Sequence, residues 1–382
     1  MSPSATPSQA RSAIAVIFFL HGLVWGSWVP HIPLAKERLD VGTGVFGIAL
    51  LAMAGGAVLA MPIAGGLINR YGSARMTVVS TVLFALALFL PAAAPTLLLF
   101  ILAAIAYGAT VGSMDVSMNA HGLAVEHALK SPVMSFFHGA FSIGGMVGAL
   151  AGAALLIYLA PLVHIALASA LCLIGLLWAG RRFLPSSVDQ GLSGESFAWP
   201  TRATIGLGLL CFLTLMAEGS VIDWAAIMLR DRFILEANTA ALGYGLFSGG
   251  MAFSRFTGDW LRLKFGAVRL VRISAWLTAI GMAAAVSVPE PAWAIAAFAL
   301  AGIGLGNIAP VLFAGGGRLE PDAPGRGIAA VVTLGYTGFL AGPPLIGLTA
   351  EVTGLPAALG LTVIAALIIA VAARAVRAAD TY

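Results

Sequence analysis

Apolar residues run in stretches of about 20 along almost the whole chain, and short polar clusters separate them. The stretches are continuous, with no alternation of apolar and polar positions. They predict helices long enough to cross a bilayer and argue against a β-barrel. Twelve spans are predicted, over residues 13–33, 44–67, 75–94, 97–122, 133–157, 161–180, 203–229, 239–261, 267–287, 292–316, 327–350 and 355–376. The longest polar interval, residues 181–202 (RRFLPSSVDQGLSGESFAWPTR), is rich in Ser, Gly and Pro and reads as a cytoplasmic linker. It divides the chain into residues 1–180 and 203–382, with six spans in each part.

The two parts repeat each other at an offset of 194. Gly55-Gly56 maps to Gly249-Gly250, Arg70-Tyr71-Gly72 to Lys264-Phe265-Gly266, and Arg75 to Arg269. In the fourth and tenth spans, Gly108, Gly112, Gly122 and Glu126 map to Gly302, Gly306, Gly316 and Glu320. Gly144 and Gly148 map to Gly338 and Gly342, and at an offset of 193 Gly26-Ser27 maps to Gly219-Ser220. One register that preserves charges as well as glycines points to parallel duplication, with an axis along the membrane normal. The predicted fold is an all-α polytopic membrane protein: twelve transmembrane helices in two pseudo-symmetric six-helix bundles.

Composition agrees. Hydrophobic residues make up 60% of the chain and charged residues 9%, with a mean hydropathy of +0.99. A soluble domain carries about 25% charged residues. The polar start, MSPSATPSQARS, leads into an apolar run without a cleavage pattern, so that run reads as a first span and not as a removed signal. Cys172 and Cys211 both lie in apolar runs and read as free thiols, and no metal-ligand cluster or cofactor motif is present. With the N-terminus placed in the cytoplasm, sixteen of the 20 Lys and Arg residues, Arg255 among them, fall on the inner side. Only Lys36, Arg38, Arg230 and Arg232 fall outside. Both termini are thus expected in the cytoplasm, with the chain in the inner (plasma) membrane. The expected partners are a small-molecule solute, protons and the lipid bilayer, without nucleic acid, and a monomer is expected.

Against this background the stretch Tyr107 to Glu126, YGATVGSMDVSMNAHGLAVE, stands out. Asp115 and Asn119 lie one helical turn apart on the face that Gly108 and Gly112 continue. A carboxylate at the centre of a membrane helix costs roughly 2.5–3.5 kcal/mol and usually faces a bundle interior or a water-filled path.

The loop after the second span, Gly65-Gly66-Leu67-Ile68-Asn69-Arg70-Tyr71-Gly72-Ser73-Ala74-Arg75, resembles the signature loop of the major facilitator superfamily, with Asn69 in place of its aspartate. Asp115-Val116-x-Met118-Asn119, His138-Gly139-x-Phe141-Ser142-x-Gly144, Glu218-Gly219 with Asp223-Trp224, and Gly342-Pro343-Pro344-Leu345-Ile346-Gly347 resemble its MosC/YbjJ-like branch. The resemblance covers nearly the whole chain and implies a secondary active transporter working by alternating access. It also implies an inner gate at the signature loop, formed by Arg70, Arg75 and Glu126 and copied at Arg269 and Glu320. The competing reading of these charges is ordinary positive-inside bias.

Depth along the spans assigns the remaining candidates. Asp115 and His138 lie at matching depths and form a candidate proton-coupling pair; a structural hydrogen-bonded pair is the alternative. Glu218 lies near the middle of the seventh span, at the repeat position of Trp25. A carboxylate and an indole facing each other suit a sugar- or cyclitol-like solute, so Glu218 is a candidate for both binding and coupling. His21, Trp25, Asn119, Asn307 and Tyr336 are candidate solute contacts, with helix packing as the alternative for each. Asp223 lies nearer the outer end as a candidate outer-gate residue. Arg255 and Asp259, four apart, read as a local ion pair. Glycines Gly144, Gly148, Gly152, Gly338 and Gly342 are spaced for close helix approach. Pro343-Pro344 predicts a kink. The alternatives to a proton-coupled solute transporter are a drug or metabolite efflux antiporter of the same fold and, more distantly, a non-transporting membrane receptor.

Overall fold

The computed structural model describes residues 5–186 and 198–380, so the centre of the predicted 181–202 linker lies outside the described residues. Every regular element among the described residues is helical. The first part of the chain comprises α1 (Pro7–Trp28), α2 (His31–Leu39), α3 (Thr43–Tyr71), α4 (Ser73–Ala87), α5 (Phe89–Ala93), α6 (Leu97–Leu129), α7 (Met134–Leu155) and α8 (Pro161–Gly180). The second comprises α9 (Ile205–Phe233), α10 (Ala237–Ala240), α11 (Leu242–Phe265), α12 (Ala267–Ser287), α13 (Pro291–Leu305), α14 (Ile308–Leu319), α15 (Pro324–Thr353) and α16 (Leu355–Ala372), then a 3-10 segment Ala373–Asp380. Eleven helical stretches are long and apolar enough to cross a membrane. The remaining long helix, α11, carries Arg255, Asp259, Arg262 and Lys264 in its 24 residues.

Local chemistry sets the helix ends. Thr6 accepts the Gln9 N–H while the Gln9 side chain accepts the Thr6 N–H, a reciprocal cap that starts α1. Gly72 opens α4 at φ 87° and Gly266 opens α12 at φ 77°, a region that favours glycine. These two positions are repeat equivalents, so the signature loop and its copy turn in the same way.

Two predicted spans differ from what forms. The run 13–33 ends its first helix at Trp28, before Pro30, and resumes as α2 out to Leu39. The run 292–316 is two helices, interrupted at Gly306 and Asn307, both weak helix formers. Its repeat equivalent, α6, is unbroken, because Ser113 stands where Asn307 stands and bonds back to the Ala109 carbonyl at 2.8 Å. α15 remains helical through Pro343 and Pro344.

The described residues fall in two compact units, Met1–His31 with Ala52–Ser193, and Ile32–Leu51 with Gly194–Tyr382. In the first, α7 packs mainly along α1, and α4 along α6; in the second, α15 packs along α9, and α13 along both α11 and α12. Repeated glycines lie at these seams. A side chain at Gly108 would overlap the Met53 carbonyl, and one at Gly302 the Phe247 carbonyl, an equivalent pair at the same offset. Gly144 meets the Phe19 carbonyl and Gly338 the Phe212 carbonyl in the same way. The repeat is therefore a repeat of backbone-to-backbone approach, which only glycine permits there.

Candidate functional site

Each unit holds a polar set inside its apolar helices. In the first, α1 presents His21 and Trp25 one turn apart. The Trp25 ring stacks on Tyr107 of α6 at 6.0 Å and 16°. Tyr107 in turn stacks on Phe84 of α4 at 5.7 Å and 14°. His21 stands edge-on to Phe84 at 4.7 Å and to Phe141 at 5.2 Å. Phe84, Tyr107 and His21 are buried, while Trp25 keeps part of its surface open. The Tyr107 hydroxyl and His21 Nδ1 are buried without a hydrogen-bond partner among the described residues. Native interiors rarely leave such atoms unsatisfied, and a solute hydroxyl is one way to satisfy them.

Asp115 and Asn119 are both half-buried, and the Asn119 amide donates to the Asp115 carbonyl at 2.8 Å and to its Oδ1 at 3.1 Å. One helical turn thus builds a small polar patch by itself. His138 lies on α7 with its ring edge-on to Phe18 of α1 at 5.3 Å.

In the second unit, Glu218 is 9% exposed, near the middle of α9. Arg255 Nη2 of α11 reaches its Oε1 at 3.5 Å, with side-chain exposures of 10% for Arg255 and 12% for Glu218. Arg255 therefore does not belong with the cytoplasmic surface charges, where its sequence position places it; its guanidinium stands against a carboxylate 37 residues away. Tyr244 and Ser248 of the same helix are hydrogen-bonded and buried beside the pair. Asn307 is buried at the break between α13 and α14, its Oδ1 filling the space above Gly258. Tyr336 is half-buried on α15 with its ring 6.2 Å from Phe339. Asp223 is half-buried further along α9.

The predicted gate residues lie at helix ends. Arg70 is exposed with its guanidinium 5.2 Å over the Tyr71 ring. Arg75 lines a groove of ≈ 330 Å³ with Val78, Val79, Gly180 and Phe183. Glu126 Oε2 accepts the backbone N–H groups of Val133 at 2.7 Å and Met134 at 3.0 Å, capping the start of α7. Its repeat equivalent, Glu320, accepts the Thr201 hydroxyl at 2.7 Å instead. Arg269 is exposed, and no ion pair joins it to Glu320 among the described residues.

Several polar contacts are not foreseen from sequence. His31 Nε2 meets His164 Nδ1 at 3.0 Å, and Ser73 Oγ meets His121 Nδ1 at 2.8 Å, all four residues buried. Arg255 had a signal in the sequence, a charge ten residues inside the end of α11.

The profile of the Major Facilitator Superfamily matches residues 14–311. This chain belongs to that superfamily. Relatives match over nearly the full length. The chain is 34% identical over 360 residues to an uncharacterised MFS-type transporter of Yersinia pestis, covering 94% of each. It is 33% identical over 370 residues to membrane protein MosC of Rhizobium meliloti, covering 94% of this chain and 88% of MosC. Among solved structures, the nucleoside transporter NupG (D323A mutant) superposes with a TM-score of 0.75 at 14% identity, covering 96% of this chain and 99% of NupG. A bacterial homologue of the human lysosomal transporter Spinster gives 0.70 at 14% identity, covering 98% of each. At that identity the superpositions speak for the fold. As a superfamily member, the chain is a multi-pass membrane transporter of a small-molecule solute and not an enzyme.

Proposed function

We propose that this protein is a proton-coupled secondary transporter that moves a small, polar, sugar- or cyclitol-like solute by alternating access. It works as a monomer in the inner membrane, with both termini in the cytoplasm. The observation that carries this reading is Glu218, a carboxylate buried mid-helix in a membrane span and held by Arg255 at 3.5 Å. A buried, paired acid in such a span is expensive and serves a pathway or a proton step by default. Glu218, with Asp115 and His138, is assigned to proton coupling.

Solute contacts are assigned to His21, Trp25, Asn119, Glu218, Asn307 and Tyr336. Support for a partly apolar polyol comes from the Trp25–Tyr107–Phe84 stack, which offers a ring face beside two buried polar atoms. Arg70, Arg75, Glu126, Arg269 and Glu320 are assigned to the inner gate, and Asp223 to the outer. The test is uptake of labelled hexoses and cyclitols into proteoliposomes under an imposed pH gradient. The gradient should drive accumulation in the wild type, and Glu218→Gln should abolish that drive. Accumulation that ignores the gradient, or survives unchanged in both Glu218→Gln and Asp115→Asn, overturns the assignment.

A further inference from the structure

We propose that Arg255 recognises a carboxylate on the solute, and that this carboxylate takes the place of Glu218, which accepts a proton as it leaves. The inference rests on the coupling role assigned above to Glu218 and narrows the solute to a sugar acid or a like polyol carboxylate.

The argument starts from which partner of the pair can lose its charge. A guanidinium is not deprotonated in a protein, whereas a carboxylate is readily neutralised. If Glu218 takes up a proton during transport, Arg255 stays positive, inside the membrane and 10% exposed at its side chain. Leaving one partner of a buried pair without its counter-charge is strongly unfavourable. The surroundings do not supply another anion. The titratable groups beside Glu218 are Arg255 and Tyr244 from α11 and Cys211 on its own helix. The other helices packed on α9 offer little more. Helices α10, α13 and α16 carry no titratable residue, α14 has only Arg318 near its end, and α15 has Tyr336 with Arg326 and Glu351 near its ends. The counter-anion must then arrive with the solute.

Two further observations fit. The contact is long, 3.5 Å against about 2.7–2.9 Å for a close charge-assisted bond, so exchange of one carboxylate for another gives up little. The pair is also unrepeated: Trp25 and Met61 stand at the equivalent positions of the first part, so shared architecture does not require it. An ammonium solute fits worse, because taking Glu218 from Arg255 would bury two positive charges together. The exchange balances: the solute carboxylate replaces that of Glu218 at Arg255, and one proton adds to Glu218. The charge of the site is unchanged, and one proton travels with each carboxylate.

The experiment uses purified full-length protein and a panel of hexoses and cyclitols in matched neutral, carboxylate and amine forms. Binding is read by ligand-dependent thermal stabilisation, and proton exchange by pH change in weakly buffered solution. A carboxylate should bind about tenfold or more tightly than its matched neutral and amine forms, the size of a charge-assisted bond, and take up one proton per molecule bound. Arg255→Gln should erase the preference, Arg255→Lys should retain part of it, and Glu218→Gln should bind the carboxylate without proton uptake. The wild-type measurement stands alone should a variant fail to fold. Tighter binding of a neutral or amine form with proton uptake overturns the carboxylate assignment and leaves the coupling role of Glu218 standing. A carboxylate preference without proton uptake overturns the coupling role and the exchange with it. Binding by no member of the panel overturns both.

Discussion

The backbone carbonyl of Phe19 stands where the first carbon of a side chain at Gly144 would be. The same geometry recurs between Gly338 and Phe212, so α1 with α7 and α9 with α15 approach by the same device. Gly144→Leu and Gly338→Leu should each force these helices apart and cost about 1–3 kcal/mol or more by overpacking. A neighbouring pair gives an internal control. Gly56 faces the Ile105 carbonyl, whereas a side chain at Gly55 would meet nothing within 4 Å. Thermal unfolding should show Gly56→Ala destabilised and Gly55→Ala unchanged or up to about 1 kcal/mol more stable. Equal effects at both positions would contradict the packing described.

The Glu218–Arg255 pair makes a second prediction, about stability and not transport. Arg255→Met alone should cost about 3–5 kcal/mol, because it leaves a buried carboxylate uncompensated. The double variant Glu218→Leu with Arg255→Met should recover most of that loss while transport stays abolished. Unfolding midpoints of the two singles and the double decide it, and additive losses would show that the side chains do not act as a pair.

Tyr107 should separate stability from binding. Its hydroxyl is buried without a partner among the described residues, so Tyr107→Phe removes an unsatisfied group and should raise stability by about 1–3 kcal/mol. The same change should weaken solute binding if that hydroxyl serves the solute. Trp25→Ala should weaken binding further by removing the exposed end of the stack. A Tyr107→Phe protein that gains stability and binds as before would confine the hydroxyl to no role in the solute site.

Glu126 caps α7 through two backbone N–H groups. Glu126→Ala should cost about 0.5–2 kcal/mol and loosen the first turn of α7, seen as faster hydrogen exchange at Val133 and Met134. Its repeat equivalent Glu320 holds a hydroxyl, not a helix start, so Glu320→Ala should leave exchange at the start of α15 unaffected.

Span positions were legible because a bilayer demands about 20 apolar residues per crossing, a signal local in the chain. The glycine register was legible too, and its cause is carbonyl approach, which sequence can count but not locate. What escaped was non-local or subtle. Arg255 looked tied to Asp259, four residues away, because a partner on another helix leaves no local mark. The break at Gly306 and Asn307 carries no proline and sits in an unbroken apolar run. The His31–His164 and Ser73–His121 contacts join segments 133 and 48 residues apart, where spacing says nothing about meeting. The aromatic stack was half visible: His21 and Trp25 share a helix face, but Phe84 and Tyr107 come from two others.

One helix belongs to both contact units. The first turns of α3 group with residues of the second part, where the Gly44 N–H donates to Glu351 at 2.7 Å and the Phe46 ring meets Trp224 at 6.3 Å. The remaining turns group with the first part. The point where the gene repeats itself and the point where the protein divides are therefore different. A fragment ending in the linker would carry residues 32–51 without the surface that covers them. Duplication supplied two copies of a six-helix plan, but exchange of this segment has left the amino-terminal copy unable to stand as a self-sufficient module.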